Sequence, residues 1–256
     1  MRISINVLMA AILLLASSVV SVALHGSEIK YGPKSAYSGY FVRPTGNGPF
    51  PGLVMIHEWW GLNDNIKEMA DRLAGEGYAA LAVDLFGKST TDPAEAMWLS
   101  RGINPSSALA QLLAAADYLR VLPYVPDDKV GSIGWCFGGR QSLNLALNDP
   151  KLAAAVIYYG QLVTDPKELA KIKAAVLGIF GEADESIPMD AVREFDKALT
   201  EAGVRHEIYT YPGAGHAFAN PTQSQRYKPE AAADAWKKTI AFLAKYLKGL
   251  AFHRKG

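Results

Sequence analysis

Along the chain, short unbroken apolar runs take turns with longer stretches in which apolar residues recur every three or four positions. The runs are residues 52–57, 78–83, 130–135, 153–159 and 174–180. At this length, and bounded by glycine, proline or polar breaks, they predict strands buried on both faces. Residues 37–43 instead alternate and stop at Pro44, which predicts an antiparallel strand ahead of the others. Residues 206–211 predict a last strand. Asn63 is placed to cap a helix that carries Ile66, Met69, Ala70 and Leu73 on one face and ends near Gly75. Further helical patterns cover 106–122, 141–148, 190–202 and 230–247. Strand and helix alternate throughout, without internal repeat or linker-like tract. The prediction is one α/β domain over residues 24–256: a mostly parallel central sheet with helices on both faces and no separate cap domain. Ligand sites in such folds gather beyond the carboxyl ends of the strands.

Residues 1–23 stand apart from this pattern. Arg2 precedes an apolar run over 5–22, interrupted only by Asn6, Ser17, Ser18 and Ser21, and Ser21-Val22-Ala23 supplies the small residues of a signal-peptidase site. A cleaved export signal is predicted, with the mature chain periplasmic or secreted and off the membrane. An uncleaved anchor is the alternative, because the run is almost long enough to span a bilayer. No cysteine stands at the cleavage point, which excludes a lipoprotein signal.

Composition narrows the chemistry. Lys plus Arg number 26 against 25 Asp plus Glu, a net +1 that offers no electrostatic footprint for nucleic acid. The single cysteine, Cys136, excludes an internal disulfide, a cysteine-based zinc site and an iron–sulfur cluster. It is either a small buried hydrophobe or a nucleophile.

Its surroundings favour the second. Gly134-Trp135-Cys136-Phe137-Gly138-Gly139 follows a predicted strand and leads into a helix, the context of a nucleophile elbow with Cys in the place of Ser. Gly134 and Gly138 let neighbouring backbone pass close while the side chain between them is pushed into the cleft. The Phe137 N–H, at the helix start, is placed to face a developing oxyanion. Asp184 lies on the loop after the 174–180 strand, and His216 on the loop after the 206–211 strand. Nucleophile, acid and histidine come in the chain order of an α/β-hydrolase triad. Glu58-Trp59-Trp60-Gly61 occupies the loop where that fold places its second oxyanion donor, which nominates the Trp59 N–H.

Taken together, these residues resemble the dienelactone hydrolase family. The resemblance runs from about Ser38 to Leu247 and rests on Glu58, Asp84-Leu85-Phe86, the Gly-x-Cys-x-Gly-Gly turn, the Gly181 to Asp184 loop and His216-Ala217-Phe218. It implies Cys136 as nucleophile, His216 as base, Asp184 as its orienter, and Glu58 as a partner of the resting thiol. No metal or organic cofactor is implied.

The chain departs from the family where a substrate carboxylate is held. Two arginines of the family pattern are replaced by Lys88 and Asn220, a point charge and a neutral amide without the planar fork that grips a carboxylate. Trp59, Trp60, Phe86 and Phe218 suggest an apolar or aromatic pocket in its place. The expected activity is hydrolysis of small neutral or aromatic esters and lactones through a thioester. The alternatives are a dienelactone hydrolase in which Lys88 does the arginine's work, and a hydrolase of neutral phosphotriesters. Outside this class stand a small-molecule-binding protein on a hydrolase scaffold and a redox-sensing role for Cys136, which lacks a resolving cysteine.

Overall fold

A computed structural model describes residues 25–249; the predicted export signal lies outside the described residues. Eight strands form one sheet in the order β1-β2-β4-β3-β5-β6-β7-β8. They are β1 (Ser27–Tyr31), β2 (Tyr37–Val42), β3 (Gly52–Ile56), β4 (Ala79–Val83), β5 (Val130–Trp135), β6 (Ala154–Tyr158), β7 (Ala175–Gly181) and β8 (His206–Tyr211). β1 and β2 pair antiparallel, and β2 meets β4 antiparallel; every pairing from β4 to β8 is parallel. The helices are α1 (Asp64–Gly75), α2 (Pro93–Gly102), α3 (Pro105–Arg120), α4 (Phe137–Asn148), α5 (Pro166–Leu169), α6 (Met189–Glu201) and α7 (Pro229–Leu247).

The apolar runs become β3 to β7, in which every residue is buried. Alternation of side chains divides the core in two. Val54 and Ile56 of β3 pack with α3, α4 and α6, whereas Leu53 and Met55 pack with α1 and α7. Asn63 caps α1 as its position predicts, accepting the Ile66 N–H at 3.2 Å. α4 starts earlier than the sequence pattern implies, at Phe137, directly after Cys136.

Three elements went unpredicted. β1 is an edge strand whose burial reaches completion only at Tyr31, so it carries no apolar stripe. α2 buries only Ala96 and Leu99, and α5 is a single turn. Among the described residues no helix is long and apolar enough to cross a membrane.

Candidate active site

The parallel half of the sheet points six carboxyl ends at one edge, and the predicted residues follow directly: Glu58 after β3, Phe86 and Lys88 after β4, Cys136 after β5, Asp184 after β7, His216 after β8. Cys136 has φ 56° and ψ −118°, a left-handed conformation that costs about 1–3 kcal/mol in a non-glycine residue. Close backbone packing holds it there. The Cys136 N–H donates to the Tyr158 carbonyl at 3.0 Å. A Cβ on Gly134 would lie 2.1 Å from the Gly138 oxygen, and one on Gly138 would lie 2.2 Å from the Ile56 oxygen. Both glycines are required by close approach, as the motif implied.

His216 Nδ1 is 2.8 Å from Asp184 Oδ2. The other Asp184 oxygen accepts the N–H groups of Ser186 (2.8 Å) and Ile187 (3.1 Å), which fixes the carboxylate's orientation. Burial works against its charge, but His216 and these two N–H groups outweigh it and hold the carboxyl below its usual range. The acid and histidine loops are tied by the Ala183 N–H to the Ala214 carbonyl at 2.8 Å. Burial also works to lower the pKa of His216; bonding to Asp184 and to Cys136 overrides it and pushes the imidazole up to about 10. Cys136, His216 and Asp184 are thus brought together.

Glu58 is 4% exposed. The resemblance implied pairing with the thiol; instead its oxygens are engaged by the Asn220 amide, which donates to Oε2, and by the Tyr159 hydroxyl, 3.5 Å from Oε1. Burial raises its pKa to about 7, against the lowering influence of Asn220, His216 and Tyr159. Asn220 is itself locked, its oxygen accepting the Thr222 N–H and hydroxyl.

Two positioning residues escaped the sequence pattern. His57 is fully buried; the Leu85 N–H donates to its Nε2 at 3.2 Å, so the ring proton sits on Nδ1 and is donated to the Glu58 carbonyl at 2.6 Å. Burial holds His57 neutral, with its pKa lowered to about 4. It joins the Glu58 loop to the β4 loop. Tyr159, read as the last residue of a strand, lies one past it at φ 36°, with its ring 5.2 Å from that of His216. Burial, then the neighbouring Glu58 carboxyl and Cys136 thiol, push its hydroxyl well above the usual value, so it stays a donor.

The residues expected at the substrate end divide. Trp59 and Trp60 are half-buried and pack edge to face, centroids 4.8 Å apart. Phe86 packs on His57 (4.6 Å) and Phe137 (5.2 Å) beside the turn. Lys88 is exposed and ion-paired to Glu95. Phe218 is not at the substrate end: it is fully buried between Tyr159 and Tyr211, because Ala217 at φ 62° turns the chain inward. Asn220 likewise faces Glu58 rather than open space. Among the described residues, no protein acceptor takes the N–H of Trp59 or of Phe137.

A parallel sheet of this topology, with a strained turn after β5 and an acid–histidine pair after β7 and β8, defines an α/β-hydrolase. Within that class the chain belongs to the dienelactone hydrolase family, whose model matches residues 37–247. It is 36% identical over 217 residues to "Protein usf" of Aquifex pyrophilus, covering 82% of this chain and 93% of that one. It is 32% identical over 219 residues to "Putative carboxymethylenebutenolidase" of Synechocystis, covering 78% and 88%. Among solved structures it resembles a dienelactone hydrolase-like promiscuous phosphotriesterase from metagenomic libraries, with TM-score 0.79 and 28% identity over 86% of this chain and 98% of that one. The protein is an ester hydrolase of the dienelactone hydrolase type.

Proposed function

We propose that this protein opens lactones and small esters through a covalent thioester on Cys136, and prefers uncharged substrates. One observation carries the reaction: the Asp184–His216 bond at 2.8 Å beside a cysteine held at a left-handed turn. A His216 pushed up to about 10 carries the proton that a leaving alkoxide needs. The Cys136 thiolate attacks the carbonyl carbon, and the N–H groups of Phe137 and Trp59 receive the oxyanion. Collapse breaks the acyl C–O bond, and His216 gives its proton to the alkoxide; in a lactone that alcohol stays on the acyl group. Neutral His216 then takes a proton from water as it attacks the thioester. The acid leaves, restoring thiolate and imidazolium.

Among the small neutral or aromatic esters and lactones expected from the sequence, the names carried by relatives favour a lactone of the dienelactone type. The charge distribution supports an uncharged one. Lys88 is occupied by Glu95 and Asn220 by Glu58, while Arg226 is exposed and reaches Glu58 only through its field. A substrate carboxylate finds no planar fork here and approaches Glu58. The test compares dienelactone carboxylate with its methyl ester. The neutral lactone is expected to have the higher kcat/KM by about tenfold, or about 1.4 kcal/mol. A preference for the carboxylate that Lys88→Ala abolishes would assign that lysine the arginine's role. The resemblance to a phosphotriesterase supports a neutral phosphotriester as a further substrate of the same oxyanion site.

Export through residues 1–23 completes the proposal. Protein recovered from its host is expected to begin near Leu24. Intact Met1 on membrane-bound material would make the segment an anchor.

A further inference from the structure

On the α1 and α7 side of the sheet a cavity of about 150 Å³ opens between those helices and the chain that follows His216. Met69, Trp135, Tyr158, Tyr227 and Trp236 form its apolar walls, and Arg72 stands among them. Its volume is about that of an engineered cavity that takes up benzene. The Arg72 guanidinium stacks on the Trp236 ring, 3.9 Å from its centroid. Among the described residues no carboxylate forms an ion pair with Arg72; Glu76 acts on it only through its field.

The cavity backs onto the active site. Trp135, Tyr158 and Ala219 each immediately precede a residue of that site: Cys136, Tyr159 and Asn220. The two spaces are therefore neighbours along three stretches of chain. A small cleft of about 10 Å³ shares Met69, Trp135, Ala219 and Pro221 with the cavity and is also lined by Glu58, Tyr159 and Asn220.

We propose that this cavity is a second ligand site, selective for small aromatic carboxylates, with the ring among Trp135, Tyr227 and Met69 and the carboxylate on Arg72. A guanidinium stacked on an indole is held in place and still presents N–H groups along its edge, the fork that matches a carboxylate. Ring burial supplies affinity at about 25 cal/mol per Å², and the fork supplies selectivity over neutral rings of the same shape. The site needs no turnover and does not depend on the substrate proposed above.

The test uses the full chain with 4-bromobenzoate, and 4-bromobenzyl alcohol as the neutral control. Bromine anomalous scattering from a soaked crystal is expected between Trp135 and Trp236. Calorimetry is expected to show the acid binding at least tenfold tighter than the alcohol, a difference that Arg72→Met removes. Ala232→Trp, which fills the cavity and leaves Arg72 in place, is expected to abolish binding of both. Bromine only beside Cys136, binding in the crystal but not in solution, or unchanged affinity in both variants would overturn the proposal.

Discussion

The Cys136 turn and the Glu58 cluster lie beside one another at the sheet edge and are built in opposite ways. The turn is a backbone construction. Cys136 is held by its own N–H and by glycines packed against carbonyl oxygens, so a six-residue string carries most of its instructions. The Glu58 cluster is a side-chain construction assembled from distant places: Tyr159 lies 101 residues from Glu58 and Asn220 lies 162. The first geometry resists change because moving it means moving backbone. The second is tuned by single hydrogen bonds, and its effect is read as a pKa.

The largest expected effect of breaking this pairing is on the turn. Cys136→Ala removes the proposed covalent route while keeping a Cβ at the same φ, and kcat/KM is expected to fall about a thousandfold or more with an unchanged circular dichroism spectrum. Asp184→Asn comes next. It removes the charge that raises His216, so activity is expected to fall by about a hundredfold or more. The alkaline limb of the pH profile, set by loss of the His216 proton at about 10, is expected to move toward lower pH. A limb that stays in place would show that Asp184 does not set that pKa.

Gly138→Ala sharpens the claim that the turn is backbone. Its new Cβ meets the Ile56 carbonyl oxygen at 2.2 Å, and a loss of about 1–3 kcal/mol in thermal unfolding is expected. Gly75→Ala is the control: nothing lies within 4 Å of its Cβ, and it is expected to be neutral or slightly stabilising.

The smallest expected effects belong to the side-chain cluster. Glu58 has a folded pKa of about 7, above its ordinary value, so the folded state holds a proton that the unfolded chain releases. Its contribution is fully present below the unfolded pKa and is lost as pH rises through about 7. Glu58→Gln is expected to flatten that part of the stability profile in denaturant melts. Asn220→Ala removes the donor that most lowers Glu58, and should move its midpoint to higher pH. Tyr159→Phe should move it less, because that contact is 3.5 Å long. The reverse ranking in a pH titration would contradict the assignment of partners.

This contrast also explains what was legible in the sequence. Buried strands and the order of Cys136, Asp184 and His216 show through because each rests on a local string: an apolar run, a glycine turn, a loop after a strand. β1 and α2 do not, since they bury too little to leave a stripe. His57 and Tyr159 were hidden inside apolar runs, where a polar tip reads as core; their partners are set by tertiary packing. A histidine ending a fully buried strand, next to the candidate carboxylate, was the available signal. Phe218 misled for the same reason in reverse: its motif neighbour His216 meets Asp184, but the positive φ of Ala217 turns Phe218 into the core.

The proposed covalent route through Cys136 is tested most directly by trapping its intermediate. Wild-type protein mixed with an activated neutral ester and quenched in acid within the first turnovers is predicted to gain one acyl group, located by peptide mass spectrometry on Cys136. Burst release of one equivalent of alcohol should accompany it. Full turnover with no acyl group on that peptide, or with Cys136 already blocked by iodoacetamide, would contradict the account.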